Sequence, residues 1–401
     1  MNKPTFLSNV VTPKLDLMRR SAVKFVILIG IVSLFADMTY EGARSITGPY
    51  LAVLGASAVV VGFVSGLGEF AGYGLRLISG YLADRTGQYW PITIIGFACN
   101  LLAVPLLALT NHWWVAAILI VLERTGKAIR TPSRDAMLSH ACQRMGMGWG
   151  FGLHEALDQT GAMIGPLLVA LVLYYKGGYH HAFAILLIPA LVALTVLMIA
   201  RKLYPSPRSL EIQQANLKTK NLHSKAFWLY LSGAALVAAG YADFPLIAFH
   251  FEKTKILPMV WIPIAYAIAM GVDGLAAPLL GRLYDRAGFI VLLIVTLISS
   301  LFAPLVFLGN FDYAIGGVIL WSIGMGAHES LMRAIIANMV PIDKRASAYG
   351  IFSMGFGLFW FLGSVLMGIL YEVSIPLLVL FSVLIQLAAV PILWLVMKEK
   401  D

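Results

Sequence analysis

Asp37, Glu41 and Arg44 are spaced i, i+4, i+7, so a helix that carries them puts all three on one face. Glu69, Tyr73 and Arg76 share a face in the same way, and so do Glu123, Lys127 and Arg130. Each set lies inside a long apolar run. A charge at the centre of a bilayer costs at least ~2.5 kcal/mol, so such residues face protein or water. Glu123 with Lys127, and Glu329 with Arg333, are acid-then-base pairs at i+4, the better orientation on a helix. Either each pair neutralises itself and stiffens its helix, or it lines a polar cavity where the acid can exchange its cation for a proton.

Asp37 and Asp243 have no obvious cation nearby in sequence, and an unpaired acid makes the better proton carrier. Asp37, Glu41, Glu123 and Asp158 therefore lead the candidates for the protonatable site, with Asp243 and Glu329 behind. In "HEALDQ" (154–159), His154 and Asp158 are one turn apart. They could share a proton or a divalent metal, or form a polar seam between helices. No second His or Cys stands near, so no metal site is expected.

The elements that must hold these groups follow from composition. The 401 residues are 60% hydrophobic and 12% charged. A soluble chain of this size has roughly 25% charged residues, so this one dissolves in lipid. Twelve apolar segments fall at about 22–44, 54–80, 91–110, 113–131, 149–174, 181–203, 226–250, 258–281, 289–309, 313–338, 347–371 and 375–397. Most are helices by necessity, because lipid offers the backbone no partners. By helical rise, Asp37 is then about 20 Å along the first segment.

Lys and Arg concentrate on one set of connections, which puts both termini in the cytoplasm. The formal net charge of +9 is thus a topology signal and not a nucleic-acid patch. Cys99 and Cys142 are too few for a disulfide scaffold and read as plain thiols. No Gly-x-Ser-x-Gly, His-Glu-x-x-His or phosphate-loop motif is present, so no enzyme is expected.

The polar stretch 204–225 divides the chain into two six-helix bundles, 1–203 and 226–401. The halves look like copies. "FAD" (35–37) recurs as "YAD" (241–243), and Glu123/Lys127 recur as Glu329/Arg333, each 206 positions on. Internal duplication is characteristic of secondary transporters. Segments 3, 6, 9 and 12 carry no charge in their central parts. They read as lipid-facing braces around eight helices that enclose something polar.

The turn "GYLADRTG" (80–87) recurs as "GRLYDRAG" (281–288), 201 positions on. Gly-x-Leu-x-Asp-Arg-x-Gly between the second and third helices resembles a signature of the major facilitator superfamily of secondary transporters. The copy containing Asp285 and Arg286 resembles its degenerate echo in that family. "GAMIGP" (161–166), with Gly161, Gly165 and Pro166, is similar to the Gly-x-x-x-Gly-Pro core of the antiporter branch.

The resemblance implies an all-α membrane fold of twelve helices in two pseudo-symmetric bundles around a central cavity. It implies that the first, fourth, seventh and tenth helices line that cavity, bringing in Glu123, Lys127, Glu329 and Arg333. In the implied cytoplasmic gate, Gly80 and Gly87 reverse the chain, Asp84 caps the N-terminus of helix 11, and Arg85 pairs with a nearby acid. The family's basic pair after the second Gly is replaced here by Gln88 and Tyr89, which thins that network. Arg130, Arg134 and Asp135 join the inner gate.

The functional expectation is a proton-coupled transporter that exports a small solute by alternating access from a bacterial inner membrane. Uptake of an organic anion or metal-chelating siderophore is the alternative, and a non-transporting sensor is a minor one. The acids would suit a cation or an amphipathic drug, whereas Arg124, Lys127 and Arg333 would suit an anion. No cofactor is expected, since the proton gradient supplies the energy. The expected partners are the small-molecule substrate and membrane lipid, with no nucleic acid, and the chain is expected to act as a monomer.

Overall fold

The computed structural model describes residues 8–145, 147–206, 225–339 and 345–398. Among the described residues the chain is helical throughout its length. The first six spans are α1 (Ser8–Val53), α2 (Ala58–Thr86), α3 (Tyr89–Leu106), α4 (Trp113–Met145), α5 (Met147–Tyr174), and α6 (Gly178–Ile185) continued by α7 (Leu187–Leu203). The next six are α8 (Lys225–Gly240) with α9 (Phe244–Thr254), α10 (Trp261–Ala287), α11 (Ile290–Ser299) with α12 (Phe302–Leu308), α13 (Phe311–Met339), α14 (Arg345–Val373) and α15 (Ile375–Lys398). Ten of the twelve are apolar and long enough to cross a membrane by composition alone. The other two, α4 and α13, carry the acid–base pairs. Residues 207–224, within the expected connection between the halves, lie outside the described residues.

Twelve spans put both chain ends on one face, here the terminal face, and the Val53 end of α1 on the opposite, far face. Within the first half α1 packs on α5 and α7, and α4 on α2 and α3; within the second, α8 packs on α14 and α15, and α10 on α13. The halves meet through α1 with α9, α2 with α14, and α5 with α10. The third, sixth, ninth and twelfth spans pack within their own halves. Their outward side chains are apolar: Ile95 and Leu102 on α3, Ile188 and Leu191 on α7, Ile294 and Leu297 on α11, Leu380 and Leu384 on α15 are all exposed. Leaving charge off these spans is what lets them face acyl chains.

Several expected boundaries move. The first helix does not stop near Arg44 but runs nine residues on, through Pro49, to Val53. Asp37 therefore sits near the middle of the 34-residue span Arg20–Val53 rather than in its far half. The fourth helix continues through Pro132 to Met145. The neighbouring helices hold the chain in line in both places, although a proline removes one backbone bond. The repeated turn is also tighter than expected. Gly87 and Gly288 stand just past α2 and α10, each with a positive φ of 68°, Gly87 in the left-handed helical conformation. Gly80 and Gly281 are helical, so they do not reverse the chain. Gly161 and Gly165 let α5 press onto the backbone of α1 at Leu34 and Met38, within their own half.

The far side is closed. Residues 40–51 of α1 and 237–252 across α8 and α9 are buried on every side. Gly48 lies so close to the carbonyl oxygen of Pro245 that no Cβ could stand between them, and Gly62 meets the carbonyl oxygen of Ser364 in the same way. Among the described residues, polar contacts also join the halves toward this face. Arg44 reaches Asp243, Tyr266 donates to Glu41, Tyr179 donates to Glu252 at 2.9 Å, and the amide of Ala58 donates to Glu372 at 2.6 Å.

Candidate functional site

The seventh span breaks at Tyr241–Asp243, between α8 and α9. Asp243 caps α9: its Oδ1 accepts from the amide of Phe244 at 2.9 Å, and Pro245 follows in the first turn, where its missing N–H costs nothing. The same Oδ1 accepts from Arg44 Nη2 at 2.6 Å. That guanidinium nitrogen also donates to Glu69 Oε1 at 3.0 Å, on α2. One arginine thus holds a carboxylate from its own half and one from the opposite half, at residues only 9% and 3% exposed for Arg44 and Asp243.

The network spreads from there. Glu41 lies 4.0 Å from Arg44 and 3.5 Å from Lys127 Nζ, and it accepts the hydroxyl of Tyr266 from α10. Arg124 reaches Glu69 at 3.6 Å and Glu123 at 3.3 Å. Glu123 also accepts from Asn100 Nδ2 at 2.7 Å. Lys127 stands over the ring of Tyr40, 4.1 Å from its centroid, where the ring face is attractive to a cation. Four carboxylates (Glu41, Glu69, Glu123, Asp243) are thereby linked to three cations (Arg44, Lys127, Arg124) among the described residues. The cluster is one positive charge short of neutral when all its members are ionised. A small cavity of about 20 Å³, room for one water, lies among Arg44, Thr47, Ser65, Glu123, Arg124 and Asp243.

A second group lies among α1, α4 and α5. Asp37 is 5% exposed and has Arg130 at 4.0 Å. Its Oδ1 has no hydrogen-bond partner, nor do Nε and Nη1 of Arg130 or Oδ1 of Asp158. Arg130 packs against the rings of Phe97 and Tyr40. His154 shares a 2.9 Å hydrogen bond with Ser33, which also accepts from Arg134 at 3.2 Å, and Arg134 pairs with Asp135 at 2.8 Å.

Several expectations about pairing change. Lys127 does not neutralise Glu123 one turn away but crosses to Glu41 on α1, and Arg124 takes Glu123 instead. Asp243 is not cation-free, because the opposite half supplies Arg44. His154 bonds to Ser33, and among the described residues no cluster of His, Cys, Asp and Glu could hold a metal. Arg85 is exposed and donates to the hydroxyl of Tyr81 at 3.4 Å, not to an acid among the described residues. Asp285 and Arg286 are exposed in the last turn of α10. The side chains of Asp84, Glu329 and Arg333 lie outside the described residues; their backbones are in α2 and α13.

In sequence, Arg44 and Glu69 stand on charged helix faces but are not marked as coupling or cavity residues, and nothing singles out Tyr266. Arg44 had a visible signal, its i+7 spacing from Asp37, but ending the first segment at residue 44 put it at the helix end. Glu69 had only its place in an apolar run, and Tyr266 had no signal, since any aromatic residue fits the apolar pattern of α10.

A family description, Major Facilitator Superfamily, matches residues 27–332 and 261–401. An uncharacterized protein of Mycobacterium tuberculosis (strain ATCC 25618 / H37Rv) is 42% identical over 375 residues, 92% of each chain. An uncharacterized MFS-type transporter of Methanocaldococcus jannaschii is 27% identical over 372 residues, 88% of this chain and 90% of the relative. Among solved structures, a mutant of the nucleoside transporter NupG aligns with a TM-score of 0.77 over 92% of this chain and 99% of its own. At 14% identity that likeness speaks for the fold alone.

Proposed function

The chain belongs to the major facilitator superfamily, and from that premise we propose that this membrane transporter exchanges protons for a small solute by alternating access, in the direction of export. The observation that carries this reading is the ion cluster that straddles the two halves with one carboxylate more than it has cations. A buried charge without a partner is costly. The cluster therefore needs one further positive charge, and a proton can supply it when no solute does.

Alternation follows from how the contacts divide. Opening the far face parts α1 from α9 and α10, which breaks Arg44–Asp243 and Glu41–Tyr266. Arg44 keeps Glu69 and Glu41 keeps Lys127, because those partners belong to the same half. Moving the halves thus changes the electrostatic environment of Asp243 far more than that of the first-half residues. A proton or solute that interacts differently with the two arrangements shifts the population between them. Asp37 lies outside the cluster but one helical turn from its member Glu41 on α1, with Arg130 only at 4.0 Å, and it is the neighbouring acid on which we place the coupled proton. Export is supported by the resemblance of "GAMIGP" to the antiporter core. Proton-coupled uptake of an organic anion is a second reading, favoured by the two unpartnered nitrogens of buried Arg130.

The test is solute flux in proteoliposomes with an imposed pH gradient. Solute uptake driven by the gradient, with matching proton release, is expected in the parent and lost in Asp37→Asn. Solute flux that ignores the gradient would refute the coupling. Proton movement unchanged in both Asp37→Asn and Glu123→Gln would remove those two acids from it.

A further inference from the structure

We propose that the solute is a monovalent organic cation with an aromatic or otherwise planar apolar body, and that Asp243 is the carboxylate that receives its charge. The inference rests on the transport reading above and names the ligand class of that same site.

Asp243 is the cluster's only carboxylate from the second half, and Arg44 is its only salt-bridge partner among the described residues. The Arg44 guanidinium is tethered to α1 and has Glu69 within its own half at 3.0 Å. When α1 and α9 part, each side chain follows its helix. Arg44 leaves satisfied by Glu69, and Asp243 loses its cation. In the closed form, then, Arg44 occupies the place that a ligand's positive charge takes in the open form. The cavity of about 20 Å³ beside both side chains is the remnant of that place.

The surroundings of Asp243 set the rest of the ligand. Tyr241 and Phe244 flank it in the chain. The ring of Phe244 lies 4.3 Å from that of Tyr266 and 5.8 Å from that of Trp321, and Tyr241 is 6.0 Å from Trp321. Two of these rings are fixed by their polar ends: Tyr241 donates to the carbonyl of Trp321, and Trp321 Nε1 donates to the carbonyl of Ala242 at 2.9 Å. The cavity beside Asp243 is lined by Tyr40 and by apolar side chains, and packed aromatic rings stand close by in sequence on both sides of Asp243, which suits a cation with an apolar body. Within the cluster, Arg44, Arg124 and Lys127 keep first-half carboxylates when the halves part, and Asp243 is the member that loses its cation. An anion would instead have to compete with Glu41 and Glu69 for Arg44.

The test compares two probes of one shape and opposite charge, tetraphenylphosphonium and tetraphenylborate, by saturable binding to the full-length protein in nanodiscs. The phosphonium is expected to bind at least tenfold more tightly than the borate. Asp243→Asn is expected to weaken phosphonium binding about tenfold or more, the loss of one charge-assisted contact. Asn caps a helix as well as Asp does, so the start of α9 is kept. Arg44→Gln removes the tethered competitor and is expected to tighten phosphonium binding about tenfold. That gain of affinity cannot come from misfolding. The proposal is overturned by preferred binding of the borate, by the absence of saturable phosphonium binding, or by affinity within twofold of the parent in Asp243→Asn. Gradient-driven solute flux that persists alongside any of these outcomes would leave the proton-exchange reading standing and remove only the cation.

Discussion

Gly48→Ala tests whether the far face is a gate. The added Cβ would meet the carbonyl oxygen of Pro245, with the carbonyl carbon at 2.8 Å and the amide nitrogen of Phe249 at 3.0 Å. All three atoms are backbone of α9, so no side chain can rotate to make room. Overpacking of this kind costs about 1–3 kcal/mol. The cost falls only on the closed arrangement, since parting α1 from α9 removes the clash. The helix-propensity gain of Ala over Gly is common to both arrangements and cancels. The open-to-closed ratio should therefore rise by about 5–150-fold. The assay is the rate at which Ser65→Cys, lining the small cavity, reacts with a membrane-impermeant thiol reagent added from the far side, in a background with Cys99 and Cys142 replaced by Ser. Gly274→Ala is the control, because its Cβ would meet Gln159 only at 3.5 Å, an ordinary contact. A labelling rate in Gly48→Ala within twofold of the parent, even with a lowered Tm, would refute the reasoning.

Two further substitutions probe the ion cluster. Glu69→Gln deprives Arg44 of the partner it keeps when the halves part, so far-side labelling of Ser65→Cys should fall about tenfold; an increase would show that Glu69 does not hold Arg44 in the open form. Asn100→Leu removes the 2.7 Å hydrogen bond to Glu123 and leaves a buried carboxylate under-satisfied, at a cost of about 1–3 kcal/mol; the Tm in detergent should drop by several degrees, and an unchanged Tm would count against that bond.

The spans and the lipid-facing role of every third one were legible because hydrocarbon tolerates so few side chains. Ile188 or Leu384 can face acyl chains, whereas Glu123 cannot. What could not be read was which helix supplies each partner. On one helix Glu123 and Lys127 look like a pair. In three dimensions Lys127 is closer to Glu41, eighty-six positions away, because α4 packs on α1. The first apolar segment reads as ending near residue 44, yet α1 runs on through Gly48 and Pro49, and only the packing of α1 against α9 shows that this glycine serves a close helix crossing. The break in the seventh span was partly visible, since an acid followed by Phe-Pro is a helix-start pattern, but a second start inside an apolar run carries no signal of its own depth.

The two acids at matching positions are held differently, which bears on the roles proposed for them. Asp37 and Asp243 stand 206 positions apart on corresponding helices. In the first copy the helix is continuous through Asp37, whose salt-bridge partner, Arg130, comes from the same half. In the second copy the helix breaks, Asp243 becomes the cap of α9, and its salt-bridge partner comes from the other half. A rigid-body movement of the halves leaves the first pairing intact and severs the second. The environment of Asp243 therefore reports which face is closed, whereas that of Asp37 stays constant while water or solute comes and goes around it. The proposed exchange uses one group of each kind: an acid whose cation depends on conformation, and one whose occupancy can change without motion. The break at residues 241–243 is the structural difference between the two acids on which that proposal rests.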